Sequence, residues 1–433
     1  MNTRRFTDLA SAADDTTRRA FVSQLARAAF GLTSGSLALG SARAASLPFA
    51  RPAARQVIYL FLRGGMSHLD TLDPKPGAGT QGPVEALRTR ADGVLLGQYF
   101  PKLAQQMDKA CIVSSMSSKQ GAHPQAQYLM RTSYEKRGTI QHPSLGAWIQ
   151  RGVGRQNEAL PGHVILGGGG EMPTAGFFPP HFQALPIGDP TSGLQNATRA
   201  RGIDEGRFAR RLDLLGKMNA EYRSRHDVRD VAAYDESYAA AVRLMRSEDL
   251  AAFDIDRESD AMRSIYGETS FGSGCLLARR LVEHGVRCIE VVSDGWDTHA
   301  DNFDRLSDLA PSIDQGLSAL LADLDARGLL QETLVVLATE FGRTPDIDQD
   351  QGRNHYPKAF SCLLAGGGIR GGMRYGKTDQ EGREVIENAV SIQDLNATIA
   401  HAAGLSVDEV VTSPSGRPFK VADKGSPILE LFA

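Results

Sequence analysis

Cysteine is scarce in this sequence. It occurs four times in 433 residues, as Cys111, Cys275, Cys288 and Cys362, with no C-x-x-C pair among them. A disulfide framework is not expected at this size, and the thiols read as small buried apolar groups. Neither sign of charge is in excess: 48 Lys+Arg stand against 51 Asp+Glu, a formal net charge of -3. Nothing in that balance suggests a nucleic-acid surface, which would need a basic excess concentrated on one face. No apolar run is long enough for a stable membrane span, and no internal repeat is found. What is present is ordinary globular material, 41% hydrophobic and 23% charged. Its length suits one large α/β domain with insertions, or two or three small ones. The 45 glycines suggest many tight strand-to-loop turns, as large α/β enzymes have.

The first 45 residues are of a different kind. "TTRRAFV" places Arg18-Arg19 ahead of Phe21, a weakly apolar Gly/Ser-rich stretch follows, and Ala42-Arg43-Ala44 fits a small-x-small cleavage site. The pattern resembles a twin-arginine export signal, with a basic amphipathic helix as the alternative. Residues 1–45 are therefore set apart from the fold. A periplasmic or secreted location is expected, by a route that carries folded proteins and allows a cofactor to be taken up first.

Beyond residue 46 the chain alternates strands and helices. Val57–Leu62, Ala110–Ser114, His163–Gly169, Arg287–Gly295, Thr333–Gly342 and Phe360–Gly368 read as short buried strands, several ending in glycine. Helices are expected around Tyr99–Met107, from near Pro124, over about Pro311 to Arg327, and across "SIQDLNATIAHAAGL". Residues from about 200 to 285 are helical by period and form an expected insertion. Strands that are nearly all apolar, separated by helices, imply an α/β fold with a mostly parallel central sheet covered on both faces.

Polar residues gather where these strands end. Val57–Leu62 is followed by Ser67, His68 and Asp70, and Ala110–Ser114 by His123. Ile289–Ser293 is followed by Asp294, Asp297 and His299, and Leu334–Ala338 by Glu340, with His355 in the next loop. In open parallel sheets ligands bind outside the carboxyl ends of the strands, so these positions are expected to converge. If the backbone is extended, Asp297-x-His299 puts both side chains on one side, and His68-x-Asp70 repeats the spacing. Mixed carboxylates and imidazoles suit a divalent metal such as zinc or manganese. The competing reading of each residue alone is a turn or a helix N-cap. Arg343 and Arg353 flank these residues, either to hold a tetrahedral oxyanion or to form structural salt bridges.

Five stretches, "FLRGGMSHLDTLDPKP", "DGWDTHADNF", "TEFGRTP", "GRNHYP" and "SIQDLNATIAHAAGL", resemble in order the motifs of the bacterial family catalogued as domain of unknown function 1501. The resemblance runs from about residue 50 to the C-terminus. It implies an alkaline phosphatase-like fold, similar to enzymes that hydrolyse phosphate or sulfate esters at one or two metals. On that pattern residues 46–433 form one domain. The metal ligands fall on Asp70 with His68, on Asp297 and His299, on Glu340, and on His355. Where relatives show Asp-His, this chain has Glu340-Phe341. The nucleophile position, counted from Thr132 in "HPQAQYLMRTSY", falls on His123, and the usual glycine is Ser133. His123 is thus a nucleophile, a metal ligand or a general acid, with Ser67 or Ser118 as alternative hydroxyls.

The expected function is an exported metal-dependent hydrolase of phosphate, sulfate or related esters, acting on a small-molecule or polymer substrate. His123, Ser67, Arg343 and Arg353 would be its catalytic groups. The alternative is a non-catalytic periplasmic binding or assembly protein that retains the fold. The resemblance also implies an exported protein partner.

Overall fold

The computed structural model describes residues 53–169, 172–199, 201–225 and 229–433. The expected export signal at 1–45 lies outside the described residues. The apolar runs form the strands of one nine-stranded sheet. They are β1 (Gln56–Leu62), β2 (Ala110–Ser117), β3 (His163–Leu166), β4 (Leu185–Ile187) and β5 (Cys288–Ser293). β6 (Thr333–Ala338), β7 (Phe360–Ala365), β8 (Met373–Tyr375) and β9 (Val390–Ser391) complete it. The spatial order is β8-β2-β7-β6-β1-β5-β3-β4, with β9 also on β2. Pairing is parallel except at β7, which runs antiparallel to both β2 and β6. The sheet is thus mixed and mostly parallel. Because β7 is reversed, the segment that precedes it lies at the same rim as the carboxyl ends of β1, β2, β5 and β6.

Both faces are covered, and β1 shows how. Ile58, Leu60 and Leu62 pack with Leu277 and Leu281 of α5 (Ser270–Glu283) and Leu317 and Leu320 of α6 (Asn302–Ala326). The alternate residues Val57 and Phe61 belong to the opposite core. That core takes in Leu129 of α1 (His123–Thr132), Trp148 of α2 (Leu145–Val153) and Ile399 of α7 (Ile392–Ala402). Side chains two apart share a face of a strand, so one apolar run feeds two cores. Each fully buried Leu or Ile contributes roughly 1.5–3 kcal/mol. Helices α3 (Glu205–Arg225) and α4 (Arg229–Arg246) lie in the region of expected helical insertion.

Two helix boundaries are informative. α7 begins with the capping box that "SIQD" suggests: Ser391 and Asp394 exchange side-chain bonds with each other's backbone N–H. α6 starts at Asn302 rather than near Pro311, which sits inside the helix. Its first turn is held by the loop ahead of His355, since Asp301 N and Asn302 N donate to the carbonyls of Asp350 and Gln351 at 3.0 Å.

The β1 end shows why a double glycine follows the strand. Gly64 has φ of 127°, and a Cβ there would lie 2.4 Å from the backbone nitrogen of Asp297. Only glycine lets the loop after β5 approach so closely. The glycines therefore seat the Asp297 loop against the end of β1.

Candidate metal centre

Four elements deliver the polar cluster. His123 is the first residue of α1, Asp297 and His299 follow β5, Glu340 follows β6, and His355 opens the strand pair His355–Tyr356 with Gly342–Arg343. One ligand atom each from His123, Asp297 and His355 lies within 4.8 Å of the others, a group able to hold a metal ion. Asp297 is its hub. Its Oδ1 is 3.1 Å from His299 Nε2 and 3.2 Å from His355 Nε2, and its Oδ2 is 3.3 Å from His123 Nε2. His299 Nε2 and His355 Nε2 are 2.9 Å apart. Donors around a tetrahedral zinc ion stand roughly 3 to 3.5 Å from one another.

The far nitrogen of each ring is occupied. His355 Nδ1 donates to the Gly121 carbonyl at 2.7 Å, His299 Nδ1 to Asn354 Oδ1 at 3.0 Å, and His123 Nδ1 to Glu340 Oε1 at 2.8 Å. Carbonyl and carboxylate oxygens only accept, so each Nδ1 carries the proton and each Nε2 keeps its lone pair. Two such Nε2 atoms facing each other at 2.9 Å repel unless a cation or a proton lies between them. His123 Nε2 is itself buried without a hydrogen-bond partner. The residues present fit a divalent cation: a set of imidazole and carboxylate donors, each ring fixed by a second group as metal-binding histidines commonly are.

Electrostatics agree. Burial works against ionisation of Asp297, but the hydrogen bond and charge of Arg343 hold its carboxyl down at about 2. Burial lowers His355 below the usual histidine value, so its ring is neutral and free to ligate. The Glu340 hydrogen bond raises His123, against the effect of burial. Phe341 is fully buried, with its ring 4.9 Å from that of His123 and 4.6 Å from that of His355. The Phe341 ring thus packs against both imidazoles.

Several residues expected at the centre lie elsewhere. Glu340 has no exposed surface, and its Oε1 accepts from Gly64 N–H, Gln127 Nε2 and His123 Nδ1. It stands behind His123, one bond removed from the donor cluster. Asp70 is fully buried and takes Arg353 in a two-pronged pair, Nε at 2.8 Å and Nη2 at 3.0 Å. It also accepts from Ser67 Oγ at 2.5 Å and Asn302 Nδ2 at 3.0 Å. Ser67 is 2% exposed, with its hydroxyl donated to Asp70. His68 is buried with Nε2 on the Gly382 carbonyl at 2.9 Å, and burial keeps it neutral.

The two arginines are struts. Arg343 bonds the carbonyls of Gly65, Arg353, Gly64 and Trp296 and the Asp297 carboxylate, and it has no exposed surface. Arg353 is equally buried and, besides Asp70, bonds carbonyls of Thr344, Pro345 and Thr80. Neither has a guanidinium face left to hold an oxyanion. They tie the loops carrying Asp297 and His355 to the end of β1. The sequence reading missed Phe341, Asn354, Gln127 and the Gly121 carbonyl. Only Asn354 and Phe341 carried a signal, as neighbours of His355 and Glu340 in their motifs.

A family model described as "Protein of unknown function (DUF1501)" matches residues 54–432. No curated protein matches the chain. Among solved structures, a sulfatase, PsFucS1 from Pseudoalteromonas sp., aligns at 13% identity over 87% of this chain and 73% of its own, with a TM-score of 0.37. The lipoteichoic acid synthase LtaP from Listeria monocytogenes aligns at 10% identity over 82% of this chain and 74% of its own, TM-score 0.37. The C-terminal periplasmic domain of EcEptC from Escherichia coli, in complex with zinc, aligns at 9% identity over 90% and 99%, TM-score 0.39.

Proposed function

This chain belongs to the DUF1501 family, and from that premise and the geometry of the polar cluster we propose that it is a metal-dependent hydrolase of phosphate, sulfate or related esters. The observation that carries the reading is the convergence of His123, Asp297 and His355, joined by His299, with every Nδ1 taken by an acceptor. His123, Asp297 and His355 would hold the cation, with His299 a further donor within reach. A bound cation supplies Lewis acidity toward an ester oxygen and lowers the pKa of water. Asp297 keeps its charge through Arg343, and Glu340 holds His123 in the tautomer that presents Nε2.

Thr339, whose hydroxyl lies 3.4 Å from Glu340 Oε2, is fully buried. The reading therefore takes water as the attacking group. Its oxygen bonds to the phosphorus or sulfur, the ester oxygen leaves, and the proton of the water ends on the departing alkoxide or in solvent. His123 acts as a ligand in this scheme, its two nitrogens facing Glu340 and Asp297.

The same reading takes residues 46–433 as one alkaline phosphatase-like domain with a helical insertion around 200–285, exported by the twin-arginine signal in 1–45. No helix among the described residues is long and apolar enough to cross a membrane. The test is metal analysis of the purified protein together with hydrolysis of aryl phosphates and sulfates, with and without chelator. Bound metal and chelator-sensitive hydrolysis are expected. Bound metal without hydrolysis of either ester would favour the non-catalytic reading, a binding or assembly protein.

A further inference from the structure

A cleft of about 240 Å³ adjoins the cluster, with Arg63, His123, Tyr128, Arg131, His142 and Met172 among its lining residues. We propose that this cleft is the subsite for a compact ester: Arg63 holds the oxyanion, and the apolar lining takes an aromatic or short aliphatic leaving group. The inference rests on the hydrolase reading and adds a substrate class and a residue to it.

Arg63 follows β1 directly, at the carboxyl end of the sheet. Its backbone is fixed between strands: its N–H donates to the Ser293 carbonyl at 2.8 Å, and its own carbonyl accepts from Trp296 N–H at 3.2 Å. Its Nε meets Asp294 at 2.5 Å, and that contact is its one side-chain bond among the described residues. The two terminal amino groups of the guanidinium are left for a ligand. The contrast with Arg343 and Arg353 is direct, since those guanidinia are spent on backbone carbonyls and carboxylates. A planar guanidinium with free parallel N–H groups suits an oxyanion with two oxygens to offer.

Most of the exposed lining of the cleft is apolar, although Arg131, Thr132 and Gln141 also line it, and its His142 wall is rigid. Tyr128 Oη donates to His142 Nδ1 at 2.8 Å and accepts from the His142 backbone N–H at 2.7 Å, so both side chains are locked together. Tyr134 stacks on the far side of the His142 ring, 4.3 Å between centroids and 7° apart. Burial holds His142 down at about 4, which leaves a neutral ring as the wall. At about 240 Å³ the space is below the usual range for drug-sized ligands, roughly 300–1,000 Å³. It suits a single ring or short chain better than a polymer segment.

The test uses non-hydrolysable probes on the metal-loaded full-length protein, read by calorimetry, so turnover is not required. Phenylphosphonate should bind about tenfold or more tightly than methylphosphonate, the difference being the buried ring. Arg63→Gln should weaken both by about tenfold or more, with Arg63→Lys intermediate, while metal content and Tm stay as in the wild type. Met172→Trp, which fills the apolar space, should weaken only phenylphosphonate. Equal affinity for the two phosphonates, no binding of either, or unchanged binding in Arg63→Gln would overturn the proposal. Failure of the wild type to hydrolyse any ester would overturn the hydrolase reading instead and leave these affinities to decide the subsite.

Discussion

Glu340 Oε1 lies 2.8 Å from Nδ1 of His123, across the imidazole from the Nε2 that faces Asp297. A buried carboxylate behind a ligating histidine fixes the ring's tautomer and orientation and makes its free nitrogen a better donor. Glu340→Gln should therefore keep the fold but lower zinc affinity about 10–100-fold, the usual cost of losing such a partner. Competition titration against a chromogenic chelator measures it. If the substitution instead abolished metal binding as completely as His355→Ala does, Glu340 would be a ligand.

Asp70 and Arg353 form a fully buried ion pair whose arginine lies two residues ahead of His355. Removing the carboxylate leaves an uncompensated buried charge, a loss of roughly 3–5 kcal/mol. Asp70→Ala should thus show a large fall in midpoint in urea unfolding. Zinc affinity of the fraction that remains folded should change by less than about tenfold, whereas His355→Ala should lose more than 100-fold. A stable Asp70→Ala protein that binds no metal would reverse the assignment.

His163 is 4% exposed, and burial, with the nearby charge of Arg131, holds it down at about 4. The unfolded chain takes up that proton near pH 6.5, the ordinary histidine value, and the folded chain near 4. A folded value depressed in this way gives stability that is fully present above about pH 6.5 and is lost as the pH falls toward 4. The loss is about 3 kcal/mol for this one group. His142, also held down at about 4, acts in the same direction. Urea midpoints should fall from pH 7 to pH 5, and His163→Gln should flatten the slope. A midpoint equal at both pH values in the wild type would contradict it.

The sheet was legible because its strands are continuous apolar runs buried on both faces, and helix α7 because its cap residues name their own position. The pairing of β7 was not, since an antiparallel strand buried on both faces looks the same in sequence as a parallel one. In the site, Asp297 and His299 both reach His355 Nε2, although a tight turn lies between them, with Thr298 N–H donating to the Trp296 carbonyl at 3.1 Å. His68 and Asp70 go to separate partners, the Gly382 carbonyl and Arg353. Residues 63–65 and 69–72 are turns, with Thr71 N and Asp73 N both donating to the His68 carbonyl, so a rule for extended chain has no hold. Glu340 was placed at the right strand end, but which atom it faces depends on where α1 sets down His123. The spare guanidinium of Arg63 was hidden for the same reason: only packing shows which arginines are already spent.

The measurement that bears most directly on the cation centre is an anomalous difference map from crystals of the as-purified protein, recorded at the absorption edge of the metal found in it. The account predicts a peak bonded to His123, Asp297 and His355, with His299 beside it and Glu340 outside bonding distance. Density at that place without anomalous signal, or a peak seated instead on Asp70 and His68, would contradict it.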